Sequence, residues 1–600
     1  MSEIVGIDLG TTHCALARVV GGEGEQRAEA VEVLQRTGAQ TTESRSLLPS
    51  FLYLGLETEA ALALPWDAER TFAVGEYARA RGIEAPGRLV SSAKSWLCHA
   101  GVDRRAGVLP MTADLGLEKI SPVEASFRYL EHLSEAYAHA YNGASLAEAD
   151  VVLTVPASFD ASARDLTVEA AMAADLTNLT LLEEPQAALY AWIASKGEAF
   201  RKEVGVGDVI LVVDVGGGTT DFSLIGVDEK DGTFELTRIA VGDHILLGGD
   251  NMDLALAYLA KQKLSAKSAE VDRMQLVALT HAARTAKEKL LFDATLVSAP
   301  IAVAGSGSAL IGNTLRTSLE QEEVARSLIE GFFPIVDLAA RPIKRARVGL
   351  VSLGLPYADD AAVTRHLASF LAKHASALGG SKAMLHPTRV LFNGGVMKSD
   401  RLRERVMSVL TSWAVSEGAP PPTVLSGADL DHSVALGAAH YGIVRQGKGL
   451  RIRGGTARAY YVGIESAAPA VPGIEPPMTA LCVAPFGMEE GSESKLPDVE
   501  LGVVVGESVR FRFFGSTTRR EDNAGAAFEV GAVELDELPP IEVTLPAEGR
   551  TLGDVVPVRL AASVTEVGTL LFEAIPVEPR KADERWKIEL SVRDEARSSA

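Results

Sequence analysis

Ile210-Leu211-Val212-Val213-Asp214-Val215-Gly216-Gly217-Gly218-Thr219-Thr220-Asp221 is an apolar run that ends in an aspartate, three glycines and two threonines. The run is long enough for a buried strand, and the glycines that follow predict a tight turn. A shorter copy opens the chain: Ile4-Val5-Gly6-Ile7-Asp8-Leu9-Gly10-Thr11-Thr12, followed by His13. Glycines let backbone N–H groups approach phosphate oxygens closely, and threonine hydroxyls donate further hydrogen bonds. An aspartate at each strand end can hold a magnesium ion through water. A single turn of this kind needs no ligand, because a glycine-rich hairpin between buried strands explains it equally well. Two related turns, each with its own aspartate, fit two similar lobes that face each other across one nucleotide phosphate tail. A third strand, Val390-Leu391-Phe392-Asn393-Gly394-Gly395-Val396, ends in glycines where backbone would pass close to a base or ribose.

Composition narrows the surroundings of these turns. The chain has 600 residues, 47% hydrophobic and 23% charged, the balance of a globular protein with several domains. Its 58 lysines and arginines stand against 80 aspartates and glutamates, a net charge of -22 with no offsetting basic tract. Nucleic acid is therefore not an expected partner. Cys14, Cys98 and Cys482 lie far apart and make neither a zinc pattern nor a disulfide framework. The start, Met1-Ser2-Glu3, lacks the features of a signal peptide, and no apolar stretch is long enough to span a bilayer. A reducing, cytoplasmic setting without membrane attachment is the expectation. The 11 histidines show no metal-helix spacing.

Up to about residue 445, strand-like runs alternate with alanine-rich helical stretches, the pattern of an α/β domain. Residues 446–455 are glycine-rich and basic, with Lys448, Arg451 and Arg453 around Leu450 and Ile452, and read as a linker with little to anchor it in a core. From 456 to 600 the pattern turns to alternation. Val509, Phe511 and Phe513 alternate with Arg510 and Arg512, and Trp586, Ile588, Leu590 and Val592 alternate near the end. With the runs 459–464, 541–545, 556–560 and 569–574, these predict a compact all-β, sandwich-like domain.

Taken together, the three glycine-bearing strands resemble the phosphate and adenosine motifs of the superfamily of ATPases that includes actin, sugar kinases and heat-shock chaperones. Val155-Pro156-Ala157-Ser158-Phe159-Asp160 with Arg164, then Glu183-Glu184-Pro185-Gln186-Ala187-Ala188, Gly248-Gly249-Asp250, and Asp431-His432-Ser433-Val434 narrow the resemblance to the heat-shock protein 70 (DnaK-type) chaperones. The resemblance covers residues 1–445, and the linker and β-domain follow in the same order as in that family. It implies a two-lobed, actin-like α/β ATPase domain that binds ATP or ADP with Mg2+. Lys94, in Ser92-Ala93-Lys94-Ser95-Trp96, matches the lysine that reaches the terminal phosphate, although a lone lysine before an aromatic is otherwise a surface residue. Asp8 and Asp214 would organise magnesium, while Glu184 and Asp221 would fix its water shell or orient the attacking water. Thr219 joins these catalytic positions. Gly10, Thr11, Thr12, His13, Gly216, Gly217, Gly218, Gly248, Gly249, Lys287, Gly394, Gly395, Val396, Lys398 and Asp431 would surround the nucleotide. Pro156 and Arg164 match residues that pass the nucleotide state to the substrate domain; on their own they read as a turn proline and a helix arginine.

Several positions depart from the family pattern. Glu288 and Leu291 stand where the family has a stacking arginine and a hydroxyl, and Val396 and Lys398 where it has serine and arginine. The stretch between Leu319 and Val390 is longer than the pattern, and Val363, Leu367, Phe370 and Leu371 predict an inserted, packed helix there. The linker is basic rather than acidic and leucine-rich. The chain stops at Arg597-Ser598-Ser599-Ala600, so no helical lid is expected and bound peptides should exchange quickly. The expected function is a chaperone-like ATPase that couples Mg-ATP hydrolysis to polypeptide clients, with room for a co-chaperone and a nucleotide exchange factor. A scaffold gated by ATP for one dedicated protein partner is the alternative, and a metabolite kinase is the least favoured.

Overall fold

A computed structural model describes residues 3–590 apart from 23–25, 57–58, 60, 100, 114–115, 160, 231–232, 267–269, 294, 306–313, 345–353, 378–381, 448–449, 451, 454–455, 457, 467–475, 489–491, 495, 497–499, 517, 520, 539, 565–569 and 582–583. Asp160, Lys448, Arg451, Val592 and the terminal Arg597-Ser598-Ser599-Ala600, all invoked above, lie outside the described residues. Two compact units emerge: Met1–Ser158, Asp165–Phe234 and Val241–Leu450 form the first, and Phe159–Arg164, Glu235–Ala240 and Arg451–Ala600 the second.

The first unit is built on two sheets with one connectivity. In one, strands run in the order Leu179–Glu183, Asp150–Val155, Ile4–Leu9, His13–Val20, Arg27–Val31. In the other, the order is Thr423–Val424, Arg389–Asn393, Val209–Val215, Thr220–Lys230. Each has an antiparallel hairpin whose first strand also pairs in parallel with a strand from much later in the chain. The registers correspond as well: Asp8 lies beside Thr154, and Asp214 beside Asn393. Val209–Val215 is buried at every residue, as a central strand with neighbours on both sides requires.

Helices cover these sheets. Ser433–Arg445 packs so closely on Glu184–Lys196 that a Cβ at Gly437 would run into the carbonyl of Ala187, which leaves glycine as the residue that fits. Arg273–Phe292 begins at Asp272, whose carboxylate accepts from Gln275 N–H in a reciprocal capping box. The inserted segment holds the helix Val363–Lys373. Its Val363, Leu367, Phe370 and Leu371 are buried, and Phe370 stacks on Phe222 at 5.7 Å.

In the second unit, Ile452–Arg453 pairs in parallel with Leu236 and Thr237 of strand Thr233–Val241, and Ile452 is 3% exposed. The linker is therefore anchored by backbone pairing, contrary to the expectation from its composition. A five-stranded sheet (Ala527–Glu529, Met478–Ala484, Ala459–Glu465, Phe513–Ser516, Asp536–Glu537) and a second one centred on Val555–Val564 and Leu570–Pro576 share a core that includes Tyr460, Phe513, Val558, Phe572 and Trp586. The single strand expected through Val509, Phe511 and Phe513 is divided. Ser508–Phe511 pairs with Ile541–Thr544, whereas Phe513–Ser516 joins the five-stranded sheet and buries Phe513 and Phe514 in succession.

Candidate functional site

The two glycine-threonine turns meet within the first unit. A Cβ on Gly217 would overlap Thr12 Cγ2, and one on Gly218 would crowd Ser95 Oγ and Thr11 Cγ2, so the turns face each other at glycine-only separation. The second turn is also braced from outside. Gly249 N–H donates to Gly216 O at 3.0 Å and Asp250 N–H to Gly217 O at 2.7 Å, which sets Gly248 and Gly249 against it. Gly216 N–H closes the turn on Thr219 O at 2.9 Å. Gly10 O accepts from Ser50 Oγ at 2.7 Å.

Around these turns lies a cluster of buried acids. Thr154 Oγ1 donates to Asp8 Oδ1 at 3.3 Å, and Asn393 Nδ2 donates to Asp214 Oδ2 at 2.6 Å. Ser433 Oγ in turn fixes the Asn393 amide by donating to its Oδ1 at 2.8 Å. Asp221 sits opposite Asp214 in the hairpin register and accepts from Ser158 Oγ. Lys94, on the short helix Ala93–Trp96, is 6% exposed and forms an ion pair with Glu184. The surface position that its immediate neighbours suggest is not the one it takes.

Asp8, Glu184 and Asp221 thus share one buried ammonium, and the electrostatics follow. Burial, and then the charge of Glu184, push the Asp8 carboxyl up to about 7. Burial also raises Glu184, Asp214 and Asp221. For Lys94 burial opposes the charge, yet Glu184 and Asp8 outweigh it and hold the ammonium above its usual range. An all-oxygen donor set with surplus negative charge suits a hard divalent cation such as Mg2+. Among the described residues no group of three or more His, Cys, Asp or Glu is placed to hold a metal ion by itself.

Next to the turns opens a cavity of about 230 Å³ lined by Thr12, His13, Gly217, Gly249, Lys287, Gly395, Val396, Lys398 and Asp431. Nine of the residues read from sequence as nucleotide-binding thus share one wall. Arg284, Lys287, Glu288 and Leu291 reach it together because i, i+3, i+4, i+7 spacing puts them on one face of Arg273–Phe292. Lys287 Nζ pairs with Asp253 at 2.7 Å, and Lys398 pairs with Asp431 and lies 5.5 Å from the Phe292 ring centre. Arg284 bridges Asp250 and Asp253. Burial, with Arg79, Arg284 and Lys398 around it, takes the His13 imidazole down to about 3. Gly394 stands at the mouth of the third strand with φ +85°.

Pro156 is buried at the end of Asp150–Val155 in the first unit, and Arg164, 2% exposed, belongs to the second. Sequence reasoning assigned no role to Thr154, Ser158, Asn393, Ser433 or Arg284. Ser158, Asn393 and Ser433 lay inside the quoted motifs, and only the strand register and the helix packing show what they hold. A family model described as Hsp70 protein matches residues 4–337, more than half of the chain. With its paired hairpins and facing turns, the chain belongs to the Hsp70 family.

Proposed function

We propose that residues 1–445 bind and hydrolyse Mg-ATP and that residues 456–600 bind polypeptide in a manner set by the nucleotide state. The observation that carries this reading is the facing of the two glycine-threonine turns beside the buried Asp214, Asp221 and Lys94 and the half-buried Asp8 and Glu184. The turn N–H groups and the hydroxyls of Thr11, Thr12 and Thr219 donate to phosphate oxygens. Lys94 neutralises charge on the terminal phosphate, and Glu184 and Asp221 accept hydrogen bonds from the attacking water and align it. Asp8 and Asp214 would hold a magnesium ion, which when bound would supply positive charge to the phosphate oxygens. The products are ADP and phosphate. Lys287, Val396 and Lys398 border the base and ribose; Glu288 in place of a stacking cation makes base affinity low. Free Cys14 and Cys482, both buried, support a reducing, cytoplasmic setting.

The test is magnesium-dependent ATP hydrolysis with and without an extended hydrophobic peptide. The expected result is stimulation by peptide and a loss of about 100-fold or more in Lys94→Ala and Asp214→Asn. ATP binding without any response to peptide would overturn the coupled-chaperone reading in favour of a scaffold for one dedicated partner.

A further inference from the structure

A chain of hydrogen bonds through Ser158 joins His244 to the acid cluster. Ser158 Oγ donates to Asp221 Oδ1 and stands 2.7 Å from His244 Nδ1. Asp221 is 5% exposed, and the hydroxyls of Ser158 and Thr219, with the charge of Lys94, counter the effect of burial on its carboxyl. A serine has one proton to give. When Asp221 is ionised that proton points to the carboxylate, so His244 must carry its proton on Nδ1 and donate it to Ser158 Oγ. The backbone beside His244 is fixed to the same hairpin, because Thr220 N–H donates to Ile245 O at 2.9 Å. The imidazole charge also bears on Glu184. On its other side His244 lines a cavity of about 270 Å³ together with Phe222, Phe370, His366 and Lys373, so it stands between the inserted helix and the acid cluster.

We propose that His244 is a positioning residue for ATP hydrolysis: through Ser158 it holds the Asp221 carboxylate aimed at the attacking water. This rests on the hydrolysis reading above. The side-chain amide nitrogen of asparagine can take the place of His Nδ1, whereas that of glutamine takes the place of Nε2. Single-turnover hydrolysis and Mg-ATP affinity are measured for wild type, Ser158→Ala, His244→Asn, His244→Gln and Ser158→Ala/His244→Gln. Ser158→Ala and His244→Gln should slow the chemical step about tenfold with little change in Kd, His244→Asn should stay within about threefold of wild type, and the double variant should be no slower than Ser158→Ala alone. Equal rates in all variants, equal loss in the asparagine and glutamine variants, additive loss in the double variant, or a change confined to Kd would overturn the proposal. If wild type binds but does not hydrolyse ATP, the hydrolysis reading fails and takes this role with it; if wild type hydrolyses and the variants match it, only the role of His244 fails.

Discussion

Gly217 and Thr12 show how a single methyl group sets the site. Gly217→Ala places a Cβ on Thr12 Cγ2, and the two turns must separate to accept it. We expect Mg-ATP affinity to fall by about tenfold or more, and Thr12→Ser, which deletes that methyl, to restore most of it in the double variant, as calorimetry can show. His132 gives a second prediction at this scale. Burial, then Arg70, lower its pKa from 6.5 to about 3, while its Nε2 meets Leu34 O at 3.0 Å and its Nδ1 has no hydrogen-bond partner among the described residues. Between those two pH values the unfolded chain binds a proton that the folded chain refuses. The contribution is therefore fully present above pH 6.5 and falls by about 1.4 kcal/mol per unit as pH drops towards 3. His132→Gln keeps the donor to Leu34 O and removes the titration, so denaturation midpoints from pH 6.5 to 4 should fall less steeply. Asp8 and Asp214 were legible in the sequence because an aspartate breaks an apolar run conspicuously. Thr154 and Asn393 act across strand pairs far apart in the chain, and Ser158 reaches Asp221, 63 residues away, which no local pattern encodes. Lys94 was legible through its motif alone, since its burial depends on a partner 90 residues away.

At the scale of elements, side-chain periodicity decided what could be read. The stripe of Val363, Leu367, Phe370 and Leu371 repeats at helical spacing, and the helix is there with those residues buried. Leu367→Ala should destabilise by about 2–5 kcal/mol in a denaturant titration, since the residue is 1% exposed. The linker was misread for the opposite reason. Two residues that add to a strand edge gain stability from backbone hydrogen bonds, which leave no mark on composition. Phe511 and Phe513 misled because alternation persists across a break between partners, and only the adjacent burial of Phe513 and Phe514 reveals it. Ile452→Asp puts a charge where a buried aliphatic side chain stood, so the pairing with Leu236 and Thr237 should open. Faster amide exchange at residues 236–237, with exchange in Val209–Val215 unchanged, is the expected outcome by mass spectrometry.

Across the whole molecule, the duplicated hairpin was legible because both copies kept the order strand, aspartate, glycine and threonine, and each copy also occupies the same place in its sheet. The resemblance placed both aspartates, with Glu184 and Asp221, around one ion; what the sequence could not display is that the charge of this cluster exceeds what Lys94 can neutralise. Such a site stores destabilisation in the unliganded protein, because a carboxyl whose pKa is raised on folding weakens the folded state at pH above its unfolded value. A cation that binds only the folded form removes the conflict. Mg-ADP at about 100 times its Kd should stabilise by roughly 2.7 kcal/mol, and chelating the magnesium should abolish most of that gain. Asp214→Asn separates the two effects. It removes one surplus charge while its side-chain oxygen can still accept from Asn393 Nδ2, so the unliganded variant should melt a few degrees higher than wild type, about 2–4 °C. Its Mg-ADP shift should shrink at the same time. A variant that melts lower without ligand, or keeps the full magnesium-dependent shift, would show that Asp214 serves packing rather than the ion.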